Sequence, residues 1–209
     1  MNIGIIGSGR MGSGLGKIWS KKHRIYFSYS RDYEKLKALA HSCLDARAAT
    51  PAEAVAASEV VLLATPWSAV TEALGKAGTL DGKVLIDCTN PLLPDLGGLS
   101  LGLTTSAAEE IAKMAHGALV VKAFNTAFAE IYHTESRLFG SRRLTMFYCG
   151  DHKQAKATVA RLINEAGFDP IDAGPLTSAR QLEPLAMLMI QLGYGMGMGT
   201  NIGISLIRR

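Results

Sequence analysis

Three glycines, Gly7, Gly9 and Gly12, form the sequence GSGRMG directly after the first apolar run of the chain. This G-x-G-x-x-G spacing, between a strand pattern and a helical pattern, is typical of a turn that binds the pyrophosphate of a dinucleotide. The first glycine permits a tight turn, the second lets phosphates approach the backbone, and the third lets helix and strand pack closely. The free N–H groups of the helix then favour an anion. We therefore predict dinucleotide binding here rather than an ordinary strand-to-helix turn.

The second apolar run ends in Ser30 and Arg31, where such folds usually carry an acid that binds the ribose hydroxyls. Serine can donate a hydrogen bond to a ribose 2′-phosphate, and arginine offers a planar, permanently charged group that matches it. Lys35 lies one helical turn further and can point the same way. Asp32 lies near the spacing of the ribose acid, but the strand pattern ends earlier, so we interpret it as the cap of the next helix. The sequence predicts selectivity for NADP.

Three later strand ends carry polar or turn-forming residues. In open α/β sheets, ligands gather beyond the carboxyl ends of the strands. Each segment alone also fits ordinary loop chemistry, but together they favour a nicotinamide pocket. Trp67 either walls the cofactor or packs under a helix, and Lys122 is either catalytic or, as is commoner for such a lysine, paired or solvent-facing. The segments are Ala64–Trp67, Cys88–Pro91 and Lys122–Thr126.

Short runs rich in β-branched residues alternate with amphipathic stretches along the chain. This alternation is typical of βαβ units around a parallel sheet. We predict a Rossmann-type, doubly wound and mainly parallel α/β fold with a short C-terminal helical segment. Two helix starts are also predicted, at Thr50 before Pro51 and at Ser106 with Glu109 as a capping box. The predicted strands begin near Asn2, Arg24, Glu59, Lys83, Ala118 and Leu144, with a short one after the helix that starts at Asp151.

Composition excludes several classes of protein. The 209 residues carry a net charge of +4, with basic residues in small scattered groups, so nucleic-acid binding is not predicted. Cys43, Cys88 and Cys149 lack metal-ligand spacing, which predicts reduced thiols, no metal site and a cytoplasmic protein. Because the sequence opens with a strand pattern, no signal peptide is expected. The apolar stretch from Leu185 is broken by Gln191 and glycines and falls short of the ~20 residues of a membrane span.

No serine–histidine–aspartate order, metal-ligand cluster or nucleophile elbow occurs in the sequence. Hydride transfer needs few acid–base groups, because the cofactor carries the chemistry. This absence therefore fits an oxidoreductase. His133, the histidine nearest in sequence to the predicted pocket, is interpreted as a surface residue.

Several further motifs carry a resemblance to a known family across essentially the whole chain. They are SRDYEK from Ser30, ATPW from Ala64, DCTNPL from Asp87, VVKAFNT from Val120, YCGDHKQAK from Tyr148, DAGPLTSARQLEPL from Asp172 and GMGTNIG from Gly197. With GSGRMG, the chain resembles the small NADP oxidoreductases that include the NADPH-dependent reductases of the deazaflavin coenzyme F-420. It is also similar to the cytosolic domain of the six-transmembrane metalloreductases.

The resemblance implies an NADP-binding domain over residues 1–175 and a C-terminal segment over residues 176–209. The first would hold NADP with Ser8 to Met11, Ser30, Arg31 and Lys35. The second would mediate a homodimer and line an acceptor cleft between the two parts. Asn125 stands where we expect histidine in the deazaflavin reductases, which makes this chain more similar there to the metalloreductase domains.

These observations predict an NADP(H)-dependent oxidoreductase that passes a hydride to a flat small-molecule acceptor, such as a flavin or deazaflavin. The alternatives are reduction of a small imine or carbonyl, and an NADPH-binding sensor with little turnover. Met198, Asn201 and Ile202 are predicted to line the acceptor site, because flexible methionines can cover a flat ring. The predicted nicotinamide site is formed by Thr65, Pro66, Trp67, Asn90, Asn125 and Ala129.

Overall fold

A computed structural model describes residues 1–209 and contains ten strands and seven α-helices. The strands are β1 (Asn2–Ile6), β2 (Arg24–Ser28), β3 (Ala46–Ala48), β4 (Val60–Leu63), β5 (Val84–Asp87), β6 (Leu119–Lys122), β7 (Leu138–Phe139), β8 (Arg142–Arg143), β9 (Thr145–Gly150) and β10 (Asp169–Asp172). The helices are α1 (Arg10–Trp19), α2 (Tyr33–His41), α3 (Pro51–Ala56), α4 (Val70–Gly75), α5 (Ala107–Met114), α6 (Lys153–Glu165) and α7 (Ala179–Ile190).

Eight of the strands form one sheet in the order β3-β2-β1-β4-β5-β6-β9-β10. All neighbouring pairs are parallel except β6 and β9, which run antiparallel. The strand order reverses at β1, between β2 and β4, and this is the position where ligands bind in doubly wound folds. The structure therefore confirms the predicted Rossmann-type, mainly parallel sheet.

Two strand features differ from the sequence prediction. The short edge strand β3 was not predicted, because Ala46, Arg47 and Ala48 carry no β-branched or aromatic side chain. It forms by pairing with β2 rather than from its own propensity. A small hairpin, β7 with β8, also precedes β9.

The core is divided into two hydrophobic clusters, one on each face of the sheet. In β4, Val60 and Leu62 belong to one cluster, whereas Val61 and Leu63 belong to the other. This alternation follows from the two-residue period of a strand. It explains why β4 is apolar at every position, since both faces of the sheet are covered by helices.

Helix α7 docks on the rest of the chain through polar contacts as well as apolar ones. Arg180 donates from Nε and Nη2 to the Glu109 carboxylate at 2.9 and 2.6 Å. The Ser106 hydroxyl accepts a hydrogen bond from the Glu109 N–H, as predicted. The Glu109 carboxylate accepts from that hydroxyl and from Arg180 rather than from the Ser106 N–H, so the reciprocal half of the capping box is missing.

None of the helices is both long and apolar enough to span a bilayer. The division at residue 175 stays a prediction.

Candidate dinucleotide and acceptor site

The glycine turn joins β1 to α1, and its three glycines have different reasons to lack a side chain. Gly7 has φ of 109°, and a Cβ there would collide with the carbonyl of Ala64. A Cβ at Gly12 would collide with the carbonyl of Gly7, so close packing of helix on strand requires glycine. At Gly9, by contrast, no protein atom lies within 4 Å of the Cβ position. The fold therefore does not need a glycine at this position. A ligand that approaches the backbone closely would need one, because a side chain would occupy its place.

The N-terminus of α1 is left open for an anion. Gly9 is the N-cap residue and supplies no side-chain hydrogen bond, and the first turn holds no acidic residue. The first N–H groups of a helix lack intrahelical partners and carry partial positive charge. Arg10, in the same turn, pairs with Glu130, which lies in the short 3-10 helix Ala129–His133.

Ser30 and Arg31 lie just past the end of β2, the strand beside β1. Tyr29 turns the chain there with a φ of 58°. Asp32 accepts from the Lys35 N–H at 3.1 Å as the N-cap of α2, which confirms its interpretation as a cap. Lys35 lies 3.5 Å from the Asp32 carboxylate, whereas Arg31 is exposed and forms no ion pair. Arg31 thus lies just past the tip of β2 without a carboxylate in direct contact, although its charge acts on Glu72 from a greater distance.

A cavity of about 300 Å³ opens beyond the carboxyl ends of β5 and β6 and against α7. Four residues of the predicted cofactor site line it: Met11, Asn90, Asn125 and Ala129. The remaining wall is mostly apolar, as is usual for small-molecule sites. It is formed by Cys88, Leu92, Leu96, Phe124, Thr126, Ala127, Phe128, Ala186, Met189, Ile190 and Tyr194.

The structure does not bring the predicted acceptor residues to this wall. Met198 and Asn201 are exposed, and Ile202 packs against a core cluster. The helix instead continues as a π-helical turn over Gln191–Gly195, which places Tyr194 in the lining. Thr65, Pro66 and Trp67 follow β4 and also lie outside the cavity, on the side nearer the glycine turn.

Two asparagines hold each other at the base of the cavity. Asn90 Nδ2 donates to the Asn125 carbonyl at 3.2 Å, and Asn125 Nδ2 donates to Asn90 Oδ1 and to the Leu182 carbonyl, each at 3.0 Å. Asn125 is only 6 % exposed, yet its Oδ1 has no hydrogen-bond partner. A buried acceptor without a partner is costly unless a ligand satisfies it. The carboxamide of a nicotinamide supplies an N–H group of the required kind.

The backbone that carries Asn125 is strained. Phe124 is fully buried and has a φ of 67°, which is unusual for a bulky residue. Trp19 and Tyr132 contact its ring edge-on at centroid distances of 5.6 and 6.3 Å, and the Tyr132 hydroxyl donates to its carbonyl at 3.2 Å. These contacts stabilise a local conformation that places Asn125 in the cavity wall, and such strain clusters at functional sites.

A buried charge cluster lies under the same strand ends. Lys122 Nζ donates to Asp87 Oδ2 at 2.8 Å and to the Thr89 carbonyl at 2.6 Å, and lies 2.8 Å from Glu183 Oε1. Glu183 comes from α7 and also accepts from the N–H groups of Ala107 and Ala108, at the start of α5. Burial by itself would lower the pKa of Lys122, but the two carboxylates outweigh it and raise that pKa. Lys122 is therefore paired rather than solvent-facing.

The cavity contains no thiolate. Burial, with a smaller contribution from Asp87, raises the pKa of Cys88 to about 12. Its thiol donates to the Leu63 carbonyl at 3.2 Å. Cys88 therefore stays protonated at neutral pH and is not a nucleophile.

His133 is exposed, as predicted, and its Nε2 contacts the Arg10 carbonyl.

Sequence reasoning missed Glu183 and the hydrophobic half of the cavity wall. A signal for Glu183 was present, since a single acid in the mostly apolar stretch from Leu182 to Leu192 indicates a buried partner. Leu92 and Leu96 lie in the loop before α5, where leucine spacing follows no secondary-structure period and carries no positional signal.

Comparison with known proteins identifies relatives of the whole chain. A family model described as NADP oxidoreductase, coenzyme F-420-dependent, matches residues 2–91. The F-420-dependent NADP reductase of Methanothermobacter marburgensis is 31 % identical over 209 residues, covering 92 % of this chain and 92 % of that protein. The crystal structure of a putative F-420-dependent NADP reductase from Arthrobacter sp. FB24 superposes with a TM-score of 0.87 at 29 % identity and covers 100 % of both chains.

A second group of relatives matches only in part. The metalloreductase STEAP3 of Rattus norvegicus is 33 % identical over 138 residues, which are 66 % of this chain but only 27 % of that protein. This chain thus spans about a quarter of the metalloreductase, and the likeness concerns that part alone. The match over nearly the full length of the methanogen reductase is what decides the relationship: this chain belongs to the coenzyme F-420-dependent NADP oxidoreductase family and is an NADP-dependent oxidoreductase.

Proposed function

We propose that this protein transfers a hydride from NADPH to a flat acceptor that binds in the cavity beside Asn125. The observation that carries this proposal is a mostly apolar cavity beyond β5 and β6, in whose wall Asn90 and Asn125 are the polar groups that could orient a nicotinamide. NADPH would supply the hydride, and the chain would supply position and exclusion of water. The cavity's volume of about 300 Å³ lies in the range of small-molecule sites.

Each part of the groove has a role in this proposal. The glycine turn and the open end of α1 hold the pyrophosphate. Arg31 holds the 2′-phosphate, and Ser30 contributes once its hydroxyl leaves its bond to the Asp32 carbonyl. Asn125 and Asn90 orient the nicotinamide carboxamide, and Thr65 to Trp67 flank the cofactor. Ser8, Arg10, Met11, Lys35 and Ala129 complete the proposed contacts.

The two alternatives fit the cavity less well. Reduction of an imine or carbonyl needs a proton donor near the hydride path. Apart from the protonated Cys88, Tyr194 is the one ionisable side chain in the lining, and 56 % of it is exposed on the rim. A sensor needs only the cofactor groove, whereas a cavity that extends from the proposed nicotinamide residues to α7 leaves room for a second substrate.

The family resemblance supports a cytoplasmic homodimer formed through the C-terminal helices. Leu188 on α7 is 52 % exposed, and Leu206 and Ile207 are exposed as well. Exposed apolar residues on α7 and on the irregular C-terminal segment are consistent with such an interface. Sedimentation of the purified protein would test the dimer directly.

The function is tested by titrating the protein with NADPH and with NADH and then measuring NADPH oxidation. The acceptors are FMN, FAD, coenzyme F-420, ferric chelates and quinones. We expect NADPH to bind more tightly than NADH, with turnover on one class of flat acceptor. Tight NADPH binding without turnover on any acceptor would favour the sensor or the small-substrate reductase, and weak NADPH binding would contradict the proposed cofactor site.

A further inference from the structure

Three segments of the chain are joined twice beside the cavity. They are residues 87–90 and 122–125, which run from the ends of β5 and β6, and residues 182–183 of α7. One set of contacts is buried and charged, and the other joins amide groups of the cavity wall. The two sets lie three residues apart in the first two segments and are adjacent in the third. A displacement of the charged set is therefore carried to the amides.

The charged set consists of Lys122, Asp87 and Glu183, which are all buried. Three oxygens surround Lys122 Nζ, one for each donor of an ammonium group. Asp87 Oδ2 lies at 2.8 Å, the Thr89 carbonyl at 2.6 Å and Glu183 Oε1 at 2.8 Å. Asp87 Oδ1 also accepts from the Thr89 N–H at 2.8 Å. Both backbone polar groups of Thr89 are thus held, immediately before Asn90.

The amide set aligns the two asparagines of the cavity wall. Asn125 Nδ2 donates to Asn90 Oδ1 and to the Leu182 carbonyl, each at 3.0 Å. Leu182 is followed directly by Glu183, so one turn of α7 supplies contacts to both sets. The orientation of the Asn125 amide therefore depends on where α7 docks.

Glu183 is the charged group of α7 that fixes this docking position. Its carboxylate accepts from the N–H groups of Ala107 and Ala108 at 2.9 and 3.2 Å, in the first turn of α5. A helix N-terminus and a buried ammonium group thus stabilise one carboxylate together. Cavity-lining residues follow Glu183 on the same helix, so a shift of this carboxylate would move part of the wall as well.

We propose that Lys122 and Glu183 are positioning residues that hold Asn125 in the orientation that binds the nicotinamide of NADPH. Both are buried outside the cavity lining, so they act through Asn125 and the docking of α7 and touch no substrate. A buried ion cluster pays a desolvation penalty that an apolar core avoids, so positioning gives these charges a function beyond stability. The inference rests on the proposed function, in which Asn125 contacts the nicotinamide.

Two ligands that differ only by the nicotinamide test this role without any acceptor. NADPH carries the ring, whereas 2′-phospho-ADP-ribose lacks it. The dissociation constant of this analogue divided by that of NADPH, both from calorimetric titration, measures what the ring adds to binding. Glu183→Gln removes the charge and keeps the size of the side chain. We expect it to lower this ratio about tenfold, by weakening NADPH and leaving the analogue unchanged.

Val55→Ala is the control for a general loss of stability. Val55 is buried in α3, a helix that contributes no residue to the cavity lining. Its truncation lowers the free energy of unfolding by removing buried volume, but it should leave the ratio of dissociation constants unchanged. An equal fall in the ratio for Val55→Ala and Glu183→Gln would assign the effect to stability and overturn the proposal.

A double-mutant cycle tests whether Glu183 acts through Asn125. Asn125→Ala should by itself lower the ratio about tenfold, because it removes the amide that contacts the ring. If both residues act through this amide, Glu183→Gln should lower the ratio no further in the Asn125→Ala protein. Additive losses, or an unchanged ratio in Glu183→Gln alone, would contradict the positioning role.

Asp87→Asn replaces Glu183→Gln if the latter does not fold, since it leaves Lys122 paired with Glu183. The same fall in the ratio is expected, and an unchanged ratio would again overturn the proposal. A ratio near one in the unmodified protein, or no response to Asn125→Ala, would contradict the nicotinamide contact and this inference with it. Failure of the unmodified protein to bind NADPH would overturn the proposed function itself.

Discussion

At the scale of single residues, we propose that Arg31 selects NADPH over NADH. It is exposed, forms no ion pair and lies at the tip of β2, so its charge is available to a 2′-phosphate. We expect Arg31→Glu to weaken NADPH binding by about 1–3 kcal/mol, through the loss of a charge-assisted contact. NADH binding should change little, because that cofactor lacks the phosphate. Calorimetric titration with both cofactors measures the difference.

Arg142→Glu is the matched control for this variant. Arg142 is also exposed, but it lies in the separate β7–β8 hairpin. Arg142→Glu changes the net charge by the same amount as Arg31→Glu, so any effect of overall charge on NADPH binding would show in both variants. Equal weakening by both would mean that Arg31 does not contact the phosphate.

At the scale of elements, Glu183 ties α7 to the strand ends that form the cavity. Its carboxylate is 2.8 Å from Lys122 and accepts two hydrogen bonds from the first turn of α5. Removing one partner of a buried ion pair typically costs about 3–5 kcal/mol, since the remaining charge is under-compensated. We expect Glu183→Gln to lower the free energy of unfolding by about that amount in urea titrations.

The exposed pair of Glu72 on α4 and Lys76 at its C-terminal cap provides the comparison. These side chains are 2.6 Å apart but lie in solvent, where ion pairs contribute little. Glu72→Gln should therefore leave the unfolding midpoint nearly unchanged. Similar midpoints for the two variants would show that the Glu183 carboxylate is not the contact that holds α7.

At the scale of the whole molecule, the buried thiols limit stability in alkali. Burial is the main cause that raises the pKa of both Cys88 and Cys149 to about 12, against an ordinary value of 9.0. The folded state keeps these protons above pH 9 while the unfolded state loses them. Stability is therefore complete below pH 9 and falls as the pH rises toward 12, by about 1 kcal/mol per thiol for each pH unit.

Chemical denaturation at pH 8 and at pH 10 measures this loss. The buried ammonium of Lys122 has a raised pKa and adds a loss of the same sign at higher pH. In a variant with Cys88→Ala and Cys149→Ala, the stability at pH 8 will be lower, because buried side-chain volume is removed. The free energy of unfolding of this variant should fall less steeply with pH than that of the unmodified protein. An equally steep fall would mean that groups other than the two thiols cause it.

The sheet was predictable from sequence because its signals are local. Apolar strands such as Val60–Leu63 and Asn2–Ile6 stand between helical patterns, and the glycine turn marks the first crossover. The role of Asp32 as a helix cap was predictable for the same reason. Strand β3 was not, since its three residues form a strand only because β2 offers hydrogen bonds.

The cavity was only half predictable. Asn90 and Asn125 each lie three residues past the ends of the neighbouring strands β5 and β6, so the sheet topology brings the two loops together. Tyr194 reaches the wall because a π-helical turn changes the register of α7, and Gly193 allows that turn to press on Phe128. Nothing in the local sequence distinguished this arrangement from one in which Met198, four residues later, faces the acceptor.

The order of the cavity walls along the chain has a consequence for synthesis. The glycine turn and Arg31 lie within the first 31 residues, whereas the last wall is formed by residues 186–194. Because a ribosome releases residues in order, the phosphate-binding half emerges long before the wall that α7 contributes. A nascent chain thus carries the glycine turn before α7 can close the cavity, and the two halves of the proposed site meet only after Tyr194 has emerged.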